Sequence, residues 1–87
     1  MDRQMTIQNK YGLHARPAMQ FVDVANQFQS SVKVWSQDQS VDGKSIMQMM
    51  MLAATEGTCL RVVAEGDDAA AALDALEQLV NSKFGEE

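Results

Sequence analysis

Gly12-Leu13-His14-Ala15-Arg16-Pro17 holds the only histidine and the only proline of an 87-residue chain. Directly after it, Ala18, Phe21, Val22, Ala25 and Phe28 recur at helical spacing, which predicts a helix over about 17–28 with His14 where a loop turns into it. The first amides of a helix have no intrahelical partner and lie at the positive end of its dipole, so an anion beside His14 would meet ready donors. Arg16 adds a permanent positive charge nearby. An imidazole between backbone donors and a guanidinium is suited to accept a phosphoryl group on nitrogen, hold its charge briefly and surrender it.

On the N-terminal side, residues 4–8 alternate, with Met5 and Ile7 on one side and Gln4, Thr6 and Gln8 on the other, the pattern of a strand with one wet face. Asn9 to Gly12 reads as a turn. On the C-terminal side the helix has no glycine to end it, and the polar run Gln27 to Ser31 is its exit. Val32 and Val34 then alternate with Lys33 and Trp35 in a second strand, and Ser36 to Ser40 connects to a short third strand near Val41. With Val32 and Val34 inward, Trp35 points outward as a contact candidate.

From Ser45 the period becomes helical again. Ser45 is a good N-cap; Met49 and Leu52 are spaced to bury, while Ile46, Met47 and Met50 fall on other sides of a short helix. A helix apolar nearly all round is either fully buried or partly a docking patch. Thr55 to Thr58, with Gly57, is a turn, and Leu60, Val62 and Ala64 alternate with Cys59, Arg61, Val63 and Glu65 in a fourth strand. After Gly66, Asp67 or Asp68 is placed to cap a last helix carrying Ala69, Leu73, Leu76, Val80 and Phe84. The order β-α-β-β-α-β-α predicts an α+β fold: a four-stranded antiparallel sheet with three helices on one face and the other face open to water, Trp35 and Val63 excepted.

Composition bounds the function. With 46% hydrophobic and 22% charged residues the chain is expected to form one globular domain, residues 1–87. A formal charge of -5 and no cluster of Lys and Arg argue against nucleic-acid binding. One histidine and the lone Cys59 build neither a metal site nor an internal disulfide, and no Gly-rich nucleotide loop is present, so no cofactor is expected. Cys59 itself reads as an inert small residue. Residues 1–20 lack a signal-peptide core and no apolar run is long enough for a membrane span, so a cytoplasmic protein without membrane insertion is expected; a monomer is expected as well.

The segment Asn9-Lys10-Tyr11-Gly12-Leu13-His14-Ala15-Arg16-Pro17-Ala18, together with Gly43-Lys44-Ser45-Ile46-Met47 and Thr55-Glu56-Gly57-Thr58, resembles HPr, the histidine-containing phosphocarrier family of the bacterial phosphotransferase system. The resemblance runs over nearly the whole chain in the family's element order. It implies the open-faced β-sandwich fold, and a carrier, not an enzyme, in which His14 accepts phosphoryl on Nδ1 from phosphorylated enzyme I and passes it to enzyme II A-type components. Arg16 would stabilise and orient the phosphoryl, and the amides of Ala15 and Arg16 would contact its oxygens. Ser45 occupies the family's regulatory phosphorylation site, which implicates HPr kinase/phosphorylase and a transcriptional regulator as further partners. Ile46, Met47 and Met50 would form the docking patch for enzyme I and other partners.

This chain departs from many sugar-system members in having Asp23, Asn26 and Gln48 where those carry lysines, so docking is expected to lean on the methionines. Its ending, Asn81 to Glu87, is also similar to chains that include the nitrogen-related paralogue NPr, and the sugar and nitrogen branches both stay open. The alternative to a carrier is a regulatory module that binds partners through the methionine surface with His14 silent; retention of both His14 and Arg16 favours the carrier. The attacking nitrogen must be unprotonated, and a helix start disfavours imidazolium, so a working range around neutral pH is expected. Phosphate on Ser45 would suit a helix start and act by placing negative charge within the docking surface.

Overall fold

Alternating side chains build the sheet, and the register shows how. The computed structural model describes residues 1–86 and contains strands β1 (Asp2–Thr6), β2 (Ser31–Ser36), β3 (Gln39–Asp42) and β4 (Cys59–Glu65). All pairings are antiparallel, in the order β1-β4-β2-β3. Val34 lies between Val62 and Val41, Val32 beside Ala64, and Met5 beside Leu60, and all of these are buried. They form one apolar face. On the other face Trp35 sits between Arg61 and Ser40. The Lys33 ammonium and the Arg61 guanidinium lie 5.8 and 5.6 Å from its ring centroid, so cations partly cover an indole that the alternation turns outward.

Helices α1 (Ala15–Ala25), α2 (Ile46–Met51) and α3 (Ala69–Asn81) cover the apolar face. The buried side of α1 is Pro17, Ala18, Phe21, Val22 and Ala25; that of α3 is Ala69, Ala72, Leu73, Leu76 and Val80. Only Met49 is buried within α2, which lies beside α1. The element order and the open-faced α+β architecture are those the residue pattern predicts.

Several boundaries differ. The first strand is set back to Asp2–Thr6, although Ile7 stays tied to the turn before β4: its amide donates to the Thr58 carbonyl at 2.9 Å and its carbonyl accepts from Gly57 at 2.8 Å. The first helix starts at Ala15, with Pro17 in its first turn, and ends at Ala25. Beyond that point Gln27 and Phe28 donate to the carbonyls three residues back, so the chain tightens and leaves Phe28 half-buried outside the helix. The Phe28 carbonyl accepts from Lys44 Nζ at 2.8 Å, joining the exit of α1 to the entry of α2.

Phe84 is not on the last helix. The Ser82 hydroxyl donates to the Leu79 carbonyl at 2.8 Å where α3 ends, and a 3₁₀ turn, Lys83–Gly85, follows. Lys83, Phe84 and Gly85 have φ of 59°, 55° and 74°, a left-handed reversal that returns the Phe84 ring to the core. Asp68 stands at the N-cap position of α3 without a capping bond. Its carboxylate instead accepts from the Ser30 hydroxyl and from the amides of Gln29 and Ser30, pinning the turn between α1 and β2. Those donors, the Ser30 hydroxyl foremost and the Gln29 amide next, hold the Asp68 carboxyl below the ordinary aspartate range.

Candidate functional site

His14 is the N-cap residue of α1, with extended backbone (φ -80°, ψ -170°) and a side chain that makes no capping bond. Its carbonyl accepts the first helical bond, from Ala18 at 3.0 Å. The amides of Ala15 and Arg16 have no acceptor among the described residues, and Pro17 has no N–H to offer. Among the described residues, two donors without an acceptor therefore adjoin an imidazole that is 43% exposed.

The loop before His14 is clamped from behind. Leu13 is buried and its amide donates to the Ala54 carbonyl at 2.9 Å. Gly12 has φ +69°, and a Cβ there would lie 2.2 Å from the Ala54 oxygen, so only glycine fits. The clamp belongs to the segment after α2, which Thr55 and Thr58 close: the Thr55 amide donates to Thr58 Oγ1 at 3.1 Å and the Thr58 amide to the Thr55 carbonyl at 3.0 Å. The Thr55 to Thr58 motif thus supports the loop that carries His14.

Asn9 does more than turn the chain. It is fully buried, and its Nδ2 donates both to the Gly12 carbonyl (2.8 Å) and to Glu86 Oε1 (3.0 Å). The other oxygen of that carboxylate, Oε2, lies 2.8 Å from His14 Nε2. The Tyr11 ring meets the imidazole edge-on, with centroids 6.3 Å apart, and Lys10 Nζ is 5.6 Å from the Tyr11 centroid.

Arg16 is exposed and makes no hydrogen bond or ion pair among the described residues. Ser45 caps α2, its Oγ accepting from the Gln48 amide at 3.3 Å. Ile46, Met47 and Met50 are 39%, 77% and 44% exposed, and the sequence reading missed two companions, Met51 of α2 and Met19 of α1, both exposed. Met19 had a signal: it falls off the buried spacing of Ala18, Phe21, Val22 and Ala25. Glu86 had none. No three His, Cys, Asp or Glu side chains among the described residues are grouped to hold a metal ion, and no helix among them is long and apolar enough to cross a membrane.

The fold and the site together define a small open-faced α+β protein that presents one exposed histidine at the start of its first helix. Residues 1–82 match the family described as "PTS HPr component phosphorylation site". Phosphocarrier protein HPr of Pseudomonas aeruginosa is 50% identical over 95% of this chain and 93% of its own. The Neisseria meningitidis protein of the same name, from serogroup A, is 46% identical over 99% of this chain and 97% of its own. The crystal structure of HPr-C-His from Thermoanaerobacter tengcongensis superposes with a TM-score of 0.95 at 45% identity, covering 100% of this chain and 98% of that one. The chain belongs to the HPr family of phosphocarriers of the phosphotransferase system.

Proposed function

We propose that this protein carries a phosphoryl group on Nδ1 of His14, received from phosphorylated enzyme I and delivered to enzyme II A-type components in the cytoplasm. The observation that carries the reading is the exposed His14 imidazole beside the Ala15 and Arg16 amides, which have no acceptor among the described residues, within the segment matched to the family. In the accepting step the Nδ1 lone pair attacks the phosphorus of the donor's phosphohistidine in line. The new N–P bond forms as the donor's N–P bond breaks, and the departing imidazole keeps that electron pair and takes up a proton. Charge spread over the three phosphoryl oxygens meets the two amides, which are in place before transfer and need no reorganisation. Arg16, which has no partner among the described residues, would swing onto the same oxygens as a bidentate donor. Delivery is the reverse chemistry toward a different acceptor.

Docking falls to Ile46, Met47 and Met50, extended by Met51 and Met19, since thioethers adapt to several partner surfaces. Phosphorylation of Ser45 by HPr kinase/phosphorylase would put a dianion at the edge of that surface, weakening docking while leaving α2 intact. To test the carrier reading, purified protein is incubated with enzyme I, phosphoenolpyruvate and Mg²⁺. The expected product is an acid-labile, base-stable phosphate absent from His14→Ala; label that persists in His14→Ala, or its absence from the wild type with a cognate enzyme I, overturns the reading. Acid-stable phosphate from HPr kinase and ATP that disappears in Ser45→Ala tests the regulatory site separately.

A further inference from the structure

We propose that Glu86, 72 residues from His14 in sequence, is a positioning residue for phosphoryl transfer: its carboxylate holds the proton of His14 on Nε2 and so keeps Nδ1 free as the nucleophile. The inference rests on the carrier reading given above and adds a residue to it.

Hydrogen-bond chemistry fixes the direction of the contact. A carboxylate accepts and does not donate, so at 2.8 Å from Glu86 Oε2 the Nε2 atom must be the one that bears hydrogen. In a neutral imidazole the other nitrogen, Nδ1, then has the lone pair. The carboxylate is itself held. Glu86 Oε1 accepts from Nδ2 of the fully buried Asn9, whose second Nδ2 hydrogen goes to the Gly12 carbonyl. The orientation of that amide follows from its neighbours, since reversing it would set Asn9 Oδ1 against two acceptors. The actual cost is visible in Asn9 Oδ1, which is buried and has no partner among the described residues. An amide that leaves its own oxygen unsatisfied in order to hold a loop carbonyl and a carboxylate is part of a built arrangement.

Backbone brings Glu86 there by an equally specific route. The left-handed turn at Lys83, Phe84 and Gly85, with Phe84 sunk in the core, reverses the chain after α3, and the Glu86 amide donates to the Lys83 carbonyl at 2.9 Å. Asn81 Oδ1, at the end of α3, accepts from Gln8 Nε2 at 3.1 Å, so the last helix is also tied to the segment leading into Asn9. The Glu86 side chain is 22% exposed against 43% for His14, so the pair is partly shielded from water.

Two effects follow for transfer. Before reaction the carboxylate selects the tautomer in which Nδ1 can attack. During reaction the ring gains positive charge as Nδ1 bonds to phosphorus, and a carboxylate on Nε2–H stabilises that charge more than it stabilises the neutral ring. The effect is therefore expected on the rate of transfer more than on docking, because the Glu86 carboxylate is engaged with the His14 ring and the buried Asn9 amide.

The test uses the full chain, wild type, Glu86→Ala and Glu86→Gln, with two readouts. The first is ¹⁵N-resolved NMR of the His14 ring in unphosphorylated protein, at a pH where the ring is neutral. The wild type should show its ring proton on Nε2, visible because the hydrogen bond slows exchange with water, and Glu86→Ala should lose that resonance. In Glu86→Gln the Asn9 amide claims the new side chain's oxygen and turns its NH₂ toward Nε2, so the share of ring proton on Nδ1 should rise. The second is phosphorylation by phospho-enzyme I, where both variants should be about tenfold slower in kcat with KM unchanged. A wild-type ring protonated on Nδ1, a Nε2–H signal that survives Glu86→Ala, or wild-type kcat in both variants overturns the proposal. If the wild type accepts no phosphoryl at all, it is the carrier reading that fails, and the NMR experiment still decides whether Glu86 orders the ring.

Discussion

At Gly12 the backbone leaves no room for any other side chain. The left-handed φ and the 2.2 Å approach to the Ala54 oxygen act together, so Gly12→Ala must move either its own loop or the Ala54 segment. We expect a loss of about 2 kcal/mol or more, read as a lower urea midpoint with an unchanged slope. Because Leu13 and His14 follow directly, phosphoryl acceptance should fall by more than the folded fraction does; equal losses would show that the loop only stabilises. Residue-scale legibility was uneven for a physical reason. His14 and Ser45 stand in short local patterns that mark a helix start, and both are N-cap residues in the structure. Asn9 was read as a turn former because its tolerance of unusual dihedrals is a property of the residue, whereas its buried bonds to Gly12 and Glu86 are properties of the fold.

Elements were read best where apolar spacing was long and regular, as in α1, α3 and β4, and least well at their ends. Phe84 shows why. Four residues after Val80, it satisfies the helical period, but the same spacing is met by a chain that leaves the helix at Ser82 and reverses through left-handed residues. Asp68 was expected as a cap and is used instead to join α3 to the turn between α1 and β2, a choice set by the packing of the two elements and not by the residues around Asp68. Since the folded state lowers the Asp68 pKa, its contribution to stability is present above about pH 4 and is lost as pH falls through the lower folded-state value. Asp68→Asn should therefore be less stable than wild type at pH 7, and its stability should change less between pH 5 and pH 2. Parallel acid titrations of the two proteins, followed by circular dichroism, test this, and an equal loss of stability between pH 5 and pH 2 in both would contradict this account of the tether.

Across the whole molecule, the sheet turns one face to the solvent and gathers the proposed functional groups at the helical side, where the start of α1, the turn after α3 and the exposed methionines of α1 and α2 are found. With a formal charge of -5 and an exposed apolar patch, the proposed association with enzyme I should depend on burying thioethers more than on steering by charge. The double substitution Met47→Gln and Met50→Gln should raise KM for the enzyme I reaction about tenfold with little change in kcat. KM should also vary only weakly with added salt; a steep salt dependence, or a KM untouched by the double substitution, would move docking elsewhere. The α+β class and element order were legible because they depend on the sum of many apolar positions. The tail's approach to His14 was not, because it joins residues at opposite ends of the chain through a reversal that no local pattern encodes.

The central claim is that one ring nitrogen of one residue carries the phosphoryl group. Its most direct measurement is ³¹P and ¹⁵N NMR of the intact protein after phosphorylation by enzyme I and phosphoenolpyruvate, with His14→Ala alongside. The account predicts a single phosphoryl group bonded to Nδ1 of His14, discharged on adding an enzyme II A-type acceptor and absent from His14→Ala. Phosphorus on Nε2, on a residue other than His14, or on no residue would contradict it.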